Sequence, residues 1–203
     1  AFFVLTTDRE QALRPTVRSR CQRLAVPPLD SEEIAAALTQ SGSDAARSQI
    51  SAAISGGSLA HARALAEGDV GRIQEHVINY LKAAASCDPL KLPEASETLR
   101  DTGSLPPDTS LELLKMLFRD VALRRLGETP LTFRESEKVL DGILKAFPQA
   151  DIDAAVQIVD ECMNHLARGY TENFSLFTLA IRLRDCLGPR TAVKRATSRT
   201  VDV

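Results

Sequence analysis

The chain has 203 residues, 44% of them hydrophobic and 26% charged, with no Trp and a formal charge of −2. That is enough apolar material to bury one large core or two small ones. No apolar run approaches the roughly 18–20 residues of a membrane span. Residues 1–7 are apolar but lack the basic start of a secretory signal. Cys21, Cys87, Cys162 and Cys186 are widely scattered and form no CxxC pair. This pattern argues against a zinc site or a disulfide scaffold and for a reducing, cytoplasmic setting.

Charge is unevenly distributed. Residues 8–23 sum to +3 through Arg9, Arg14, Arg18, Arg20 and Arg23, and residues 189–203 also sum to +3, leaving −8 on the remainder. An acidic body with two short basic segments is not a chain whose whole surface grips nucleic acid. Only those two segments are suited to phosphate.

Residues 1–7 carry the one strand signal, a continuous run of Phe2, Phe3, Val4 and Leu5 that stops at Thr6 and Thr7. A buried parallel strand needs neighbours, and no second comparable run follows. The chain is therefore expected to be a fragment whose sheet lies upstream, with residues 1–25 left without packing partners. After Leu24 nearly everything repeats at helical spacing. Pro27 and Pro28 form a stiff joint, and Asp30 is placed to cap a helix over 31–41 with Glu33 as its reciprocal partner. Ser43 is expected to open a second helix, ended by Gly56 and Gly57, and Ser58 to cap a third, closed by Gly68. Asp69 is placed to cap a longer helix bearing Ile73, Val77 and Leu81. Further helices are predicted near 93–101 and at 109–126, 133–147, 151–168 and 174–187, the last behind Asn173 as cap. The expected organisation is mainly α: a remnant of an α/β module over 1–27, a three-helix unit over 28–68, a helical bundle over 69–188, and a basic, disordered tail over 189–203.

Enzyme motifs are sparse. His61, His76 and His165 sit on separate predicted helices without a metal-ligand spacing such as HExxH. There is no GxxxxGK[ST] loop, and Gly56-Gly57 follows a helix rather than a strand, so it reads as a helix end. Ala155 to Glu161 mimics an apolar strand ending in Asp-Glu, yet its apolar residues continue at helical spacing through Met163 and Leu166.

The informative stretch is Pro15-Thr16-Val17-Arg18-Ser19-Arg20-Cys21, preceded by a Thr-ended apolar run and followed by a proline joint and three short helices. This ensemble resembles the AAA+ clamp-loader family. The matching residues are Phe3 to Thr7, Pro15 to Cys21, Pro28-Leu29 to Glu33-Ile34, and Gly57-Ser58; they cover about the first 65 residues, and the rest agrees in being helical and of collar size. The resemblance implies a sensor-1 strand with Thr6 and Thr7 at its end, a Ser-Arg-Cys motif, a three-helix lid and a helical collar that assembles a ring. It implies that Arg20 is a trans-acting arginine finger, that Ser19 and Cys21 support it, and that the nucleotide is ATP held by a neighbouring subunit. A guanidinium suits that role because it offers a rigid fork of donors to charge developing on phosphoryl oxygens.

Ring ATPases of this family usually carry Arg in the lid motif Gly-Ser-x-Arg. Here the motif reads Gly57-Ser58-Leu59-Ala60, with Arg63 three residues later as a possible displaced sensor 2. Retaining the finger without the lid Arg implies a subunit that does not itself hydrolyse ATP. Leu117-Phe118-Arg119-Asp120-Val121 followed by Leu126-Gly127 is similar to a collar helix of such a subunit. The implied partners are gamma/tau and delta clamp-loader subunits through the collar, with sliding clamp and primer–template DNA met only through the complex, and no membrane. Helices 109–126 and 174–187, with wide apolar stripes, are the candidates for intersubunit contact. No cofactor and no catalysis are expected of the chain by itself. The rival readings are a gamma/tau-type ATPase, which would use Arg63, and a helical interaction scaffold.

Overall fold

The computed structural model describes residues 2–7, 13–86, 90–130, 132–133 and 137–188. The basic tail at 189–203, expected to be disordered, lies outside the described residues, as does Cys87. Among the described residues there are ten helices and no strand. The strand expected over 1–7 therefore does not form at 2–7. Phe2, Phe3, Val4 and Leu5 stand exposed, and a strand cannot be made without a second one to accept and donate its backbone hydrogen bonds.

A short helix, α1 (Pro15–Arg18), precedes three more: α2 (Ser31–Gln40), α3 (Ala45–Ile54) and α4 (Leu59–Glu67). Each of these three begins where a side chain takes up an orphan amide. Asp30 N–H donates to Glu33 Oε2 at 3.3 Å within the reciprocal capping box expected there. Helix α3 is capped by Asp44, not by Ser43: Oδ2 of Asp44 accepts from the amides of Ala46 and Arg47 at 3.0 and 3.2 Å. Ser58 Oγ accepts from His61 N–H at 3.3 Å. Ile34, Leu38, Ala52, Ala62 and Ala66 close a small core between the three helices. Small alanines let the helix axes approach closely. Arg47 Nη1 donates to the Ala66 carbonyl at 3.2 Å, tying α3 to the end of α4.

The larger bundle comprises α5 (Val70–Ser86), α6 (Lys91–Arg100), α7 (Thr109–Arg125), α8 (Glu137–Ala146), α9 (Ile152–Ala167) and α10 (Glu172–Leu187). Asp69 Oδ1 accepts from Arg72 N–H at 3.1 Å and starts α5. Asp151 does the same for α9, accepting from Ala154 N–H at 3.0 Å. The cap of α10 is Thr171, with Asn173 already inside the first turn; its Oδ1 instead accepts from Arg100 Nη1 of α6 at 2.7 Å. The apparent strand at 155–161 lies within α9. Ile54 and Leu65 turn away from the small core and join the large one, and Gly68 lets Leu105 seat over this junction, since a Cβ there would come within 2.9 Å of the Leu105 methyls.

Helix α7 is the axle of the bundle. It buries Leu111, Leu113, Leu114, Leu117, Phe118 and Val121, and packs on α5, α8 and α9. Asp120 is buried among them without exposure. Its Oδ2 accepts the amides of Thr132 at 2.8 Å and Phe133 at 2.7 Å. Gln74 of α5 donates to the Thr132 carbonyl at 3.1 Å, gripping the same turn from the other side. This grip explains a shifted boundary: residue 133, expected to begin a helix, is instead a buried Phe ahead of α8, which starts at Glu137. On the opposite side of α5, the Tyr80 hydroxyl donates to the Leu176 carbonyl of α10. Burial pushes its pKa well above the ordinary value, so it remains a donor at any physiological pH.

Hydrogen bonds to a buried carboxylate each contribute about 1.5 kcal/mol or more. Asp120→Ala should therefore lower the unfolding free energy by about 3 kcal/mol, seen as a lower midpoint in urea with an unchanged slope. An Asp120→Ala chain as stable as the parent would show that Thr132 and Phe133 are held by other contacts.

Candidate functional site

Between residues 13 and 29 the chain carries Arg14, Arg18, Arg20 and Arg23 and no acidic residue. Helix α1 organises this charge. Pro15 occupies its first position, where a missing amide costs nothing and the fixed φ favours the turn. The Arg14 carbonyl accepts from Val17 N–H at 2.9 Å and from Arg18 N–H at 3.2 Å. Ser19 N–H donates to the Pro15 carbonyl at 2.9 Å and its Oγ to the Thr16 carbonyl at 3.3 Å. Arg20 N–H then donates to the Val17 carbonyl at 3.1 Å, so the finger candidate is the last residue whose backbone is tied to the helix. The guanidinium of Arg20 is exposed and makes no ion pair or side-chain hydrogen bond among the described residues. No residue of α1 is buried and it packs extensively on no other helix.

The other residues of the motif divide in role. Ser19 closes the turn of α1 through its bond to the Thr16 carbonyl. Cys21, expected to pack behind the finger, is exposed, because α1 has no packed surface on which a thiol could rest. Thr6 and Thr7 are exposed on the 2–7 segment. Ala60 and Arg63 are both exposed on α4, one near-turn apart on the same face. The structure does not gather Arg20 and Arg63 into one pocket. Two clefts among the described residues, of about 660 and 300 Å³, lie in the larger bundle and are lined by neither.

The arginine segment meets the folded body beside Gly57. Leu29 N–H donates to the Gly57 carbonyl at 3.1 Å. Gly57 has φ of +84°, and a Cβ there would collide with Pro28 and come 3.1 Å from the Leu29 carbonyl oxygen. The Gly-Ser pair at 57–58 thus has two separate jobs: Gly57 admits the proline joint, and Ser58 caps α4. Glycine is required on both conformational and steric grounds.

Among the described residues no group of three or more His, Cys, Asp or Glu is placed to hold a metal ion. His61 Nε2 and His76 Nδ1 are buried without a hydrogen-bond partner, and His165 stacks obliquely on Tyr170 with ring centroids 5.2 Å apart. Helices α7 and α10, proposed from their stripes as contact surfaces, use most of those stripes in the core of the bundle. What the stripe argument missed is a second apolar row on α10, Phe174, Phe177 and Ile181, on its outer side. The signal was present: α10 is apolar on more than one side, which a helix facing a single core does not need. No helix among the described residues is long and apolar enough to cross a membrane.

Two measurements follow from this geometry. Gly57→Ala should loosen the proline joint, cost about 1–2 kcal/mol for the left-handed backbone, and raise the rate of tryptic cleavage at Arg20 and Arg23; unchanged cleavage would dissociate the joint from Gly57. Thiols should also separate by environment. Burial pushes the Cys162 thiol to about 11, so at pH 8 it stays protonated and enclosed. Cys21 should react with a maleimide in the folded chain and Cys162 only on unfolding, with Cys21→Ser removing a fast phase; rapid labelling of Cys162 under native conditions would contradict the packing of α9 on α10.

Comparison with protein-family models, curated proteins and solved structures finds no match to this chain.

Proposed function

We propose that the chain acts as a clamp-loader subunit of the delta-prime type in bacterial DNA polymerase III, a non-hydrolysing component that supplies Arg20 to ATP bound by a neighbouring subunit. In this reading the helical bundle is the collar that sits beside the gamma/tau and delta subunits. The sliding clamp and primer–template DNA are engaged by the assembled complex. The observation that carries the reading is Arg20 itself: a guanidinium held at the end of a short hydrogen-bonded helix, exposed, and with no described acid to neutralise it. An arginine so placed retains its full donor fork for an anion brought by another chain. Phosphoryl transfer spreads negative charge over the transferred group, and a planar cation supplied in trans stabilises that charge while making turnover depend on assembly.

A gamma/tau-type motor is the second reading, favoured by one observation. Arg63 is exposed on the same face of α4 as Ala60, where the lid arginine of a motor would stand. A side chain one near-turn away can cover part of the same space.

The two are separated in a ring reconstituted with the other subunits. Arg20→Ala should leave assembly intact and slow ATP turnover by about 10³-fold or more, with Arg20→Lys restoring little because it lacks the planar fork. Arg63→Ala should leave turnover unchanged. Normal turnover with Arg20→Ala would overturn the delta-prime reading, and loss of turnover with Arg63→Ala alone would favour the motor.

A further inference from the structure

A cleft of about 660 Å³ lies at one end of the bundle, where α6 and α9 finish and α7 and α10 begin. That volume falls in the range of sites that take a small molecule. Its apolar lining belongs to the core: Leu99, Leu111 and Leu176 are buried, and Met163 and Leu166 pack against the same core from α9. The Ser110 hydroxyl at the cleft is already engaged, donating to the Leu99 carbonyl at 2.6 Å. Four other polar side chains line the space: Arg100, Asp108, Asn164 and Glu172. Arg100 and Glu172 hold each other, Nε to Oε2 at 2.9 Å, while Arg100 Nη1 donates to Asn173 at 2.7 Å. Asp108 is different. It stands at the N-cap of α7, where an aspartate ordinarily accepts from the amides of the first turn. Its backbone is helical, with φ −79° and ψ −12°, and its side chain makes no such bond. Neither Asp108 nor Asn164 has an ion pair or side-chain hydrogen bond among the described residues, and both are exposed.

We propose that this cleft binds a small amphiphilic amine, with the ammonium on Asp108 and the apolar body on Leu111, Met163 and Leu166. Hydrogen-bonding valence selects the cation. The uncommitted groups of the lining are acceptors above all: both carboxylate oxygens of Asp108, one of Glu172 and the amide oxygen of Asn164. An ammonium brings three donors and no acceptor. The donors that remain, Arg100 Nη2 and the Asn164 amide nitrogen, include one on a guanidinium whose charge Glu172 already balances. Charge agrees with valence, since Arg100 and Glu172 cancel and Asp108 leaves the lining at −1. Arg168 follows the lining residue Ala167 and stands at the rim, exposed and without an ion pair among the described residues. It opposes a cation from outside the cleft, so removing it tests the sign of the ligand. The apolar floor supplies affinity that the head group by itself cannot, because burial of hydrocarbon scales with area and an exposed ion pair is weak. The inference stands apart from the clamp-loader reading, which uses no residue of this cleft.

The chain has two methionines, Met116 and Met163, and of these Met163 lines the cleft. NMR of isotope-labelled methionine methyls in the whole chain therefore reads the site with an internal control. The probes are n-hexylamine, n-hexanol and n-hexanoate, which share one apolar chain and differ in head group, titrated to on the order of 50 mM at about pH 7 because ligands of this size bind weakly. The expected result is a saturable shift of Met163 with Met116 unmoved, hexylamine binding tightest and hexanoate weakest. Asp108→Asn should weaken hexylamine about 2–5-fold, as loss of an exposed ion pair does, and leave hexanol unchanged. Arg168→Gln should leave hexylamine as tight or tighter. A Met163 signal indifferent to all three probes would overturn the cleft as a site. Hexanol or hexanoate binding as tightly as hexylamine would overturn the cation, as would weaker hexylamine binding by Arg168→Gln or no change with Asp108→Asn.

Discussion

A carboxylate buried in the middle of α7 sets much of the architecture. Asp120 accepts two backbone amides from the turn at 132–133 and so ties the central helix to the chain ahead of α8. Removing a carboxylate from water is costly unless its lone pairs are met by well-aligned donors. Here the cost is offset by two short, charge-assisted bonds, and the return is positional: Phe133 is driven into the core at one depth, and α8 must begin after it. Around this fixed point the leucines of α7 meet α5, α8 and α9, while the Tyr80 hydroxyl fastens α5 to α10.

The arginine segment is organised on a different principle. No residue of α1 is fully buried, short-range hydrogen bonds and a proline define it, and a close approach at Gly57 holds the segment where it meets the body. Such a design gives a locally rigid display of charge on a weakly held base. In the role proposed for Arg20, the anion that completes the site is brought by another chain. A cluster meant to act within the chain would instead be enclosed by it.

The outer row of α10 shows the complementary situation. Apolar side chains there are only partly covered by the fold, because the inner row fills the core. Exposed rows of this extent mark surfaces that are covered in use.

Much of this was legible in the sequence. The helical period placed α2, α4, α7 and α9 to within a residue or two and gave the start of α5, and capping chemistry at Asp30, Ser58 and Asp69 is local, so it could be read from neighbours a few positions away. The arginine cluster was equally plain, since exposure of charge needs no partner to be inferred. What only the tertiary structure decided depends on groups distant in the chain. Asn173 was drawn from capping to a bond with Arg100, Phe133 was pulled out of a helix by Asp120, and Gly57 owes its identity to Pro28 on another segment. Which of two apolar rows on α10 would be inside was likewise fixed by the helices that pack against it, because periodicity reports that a face is apolar and only packing decides what covers it.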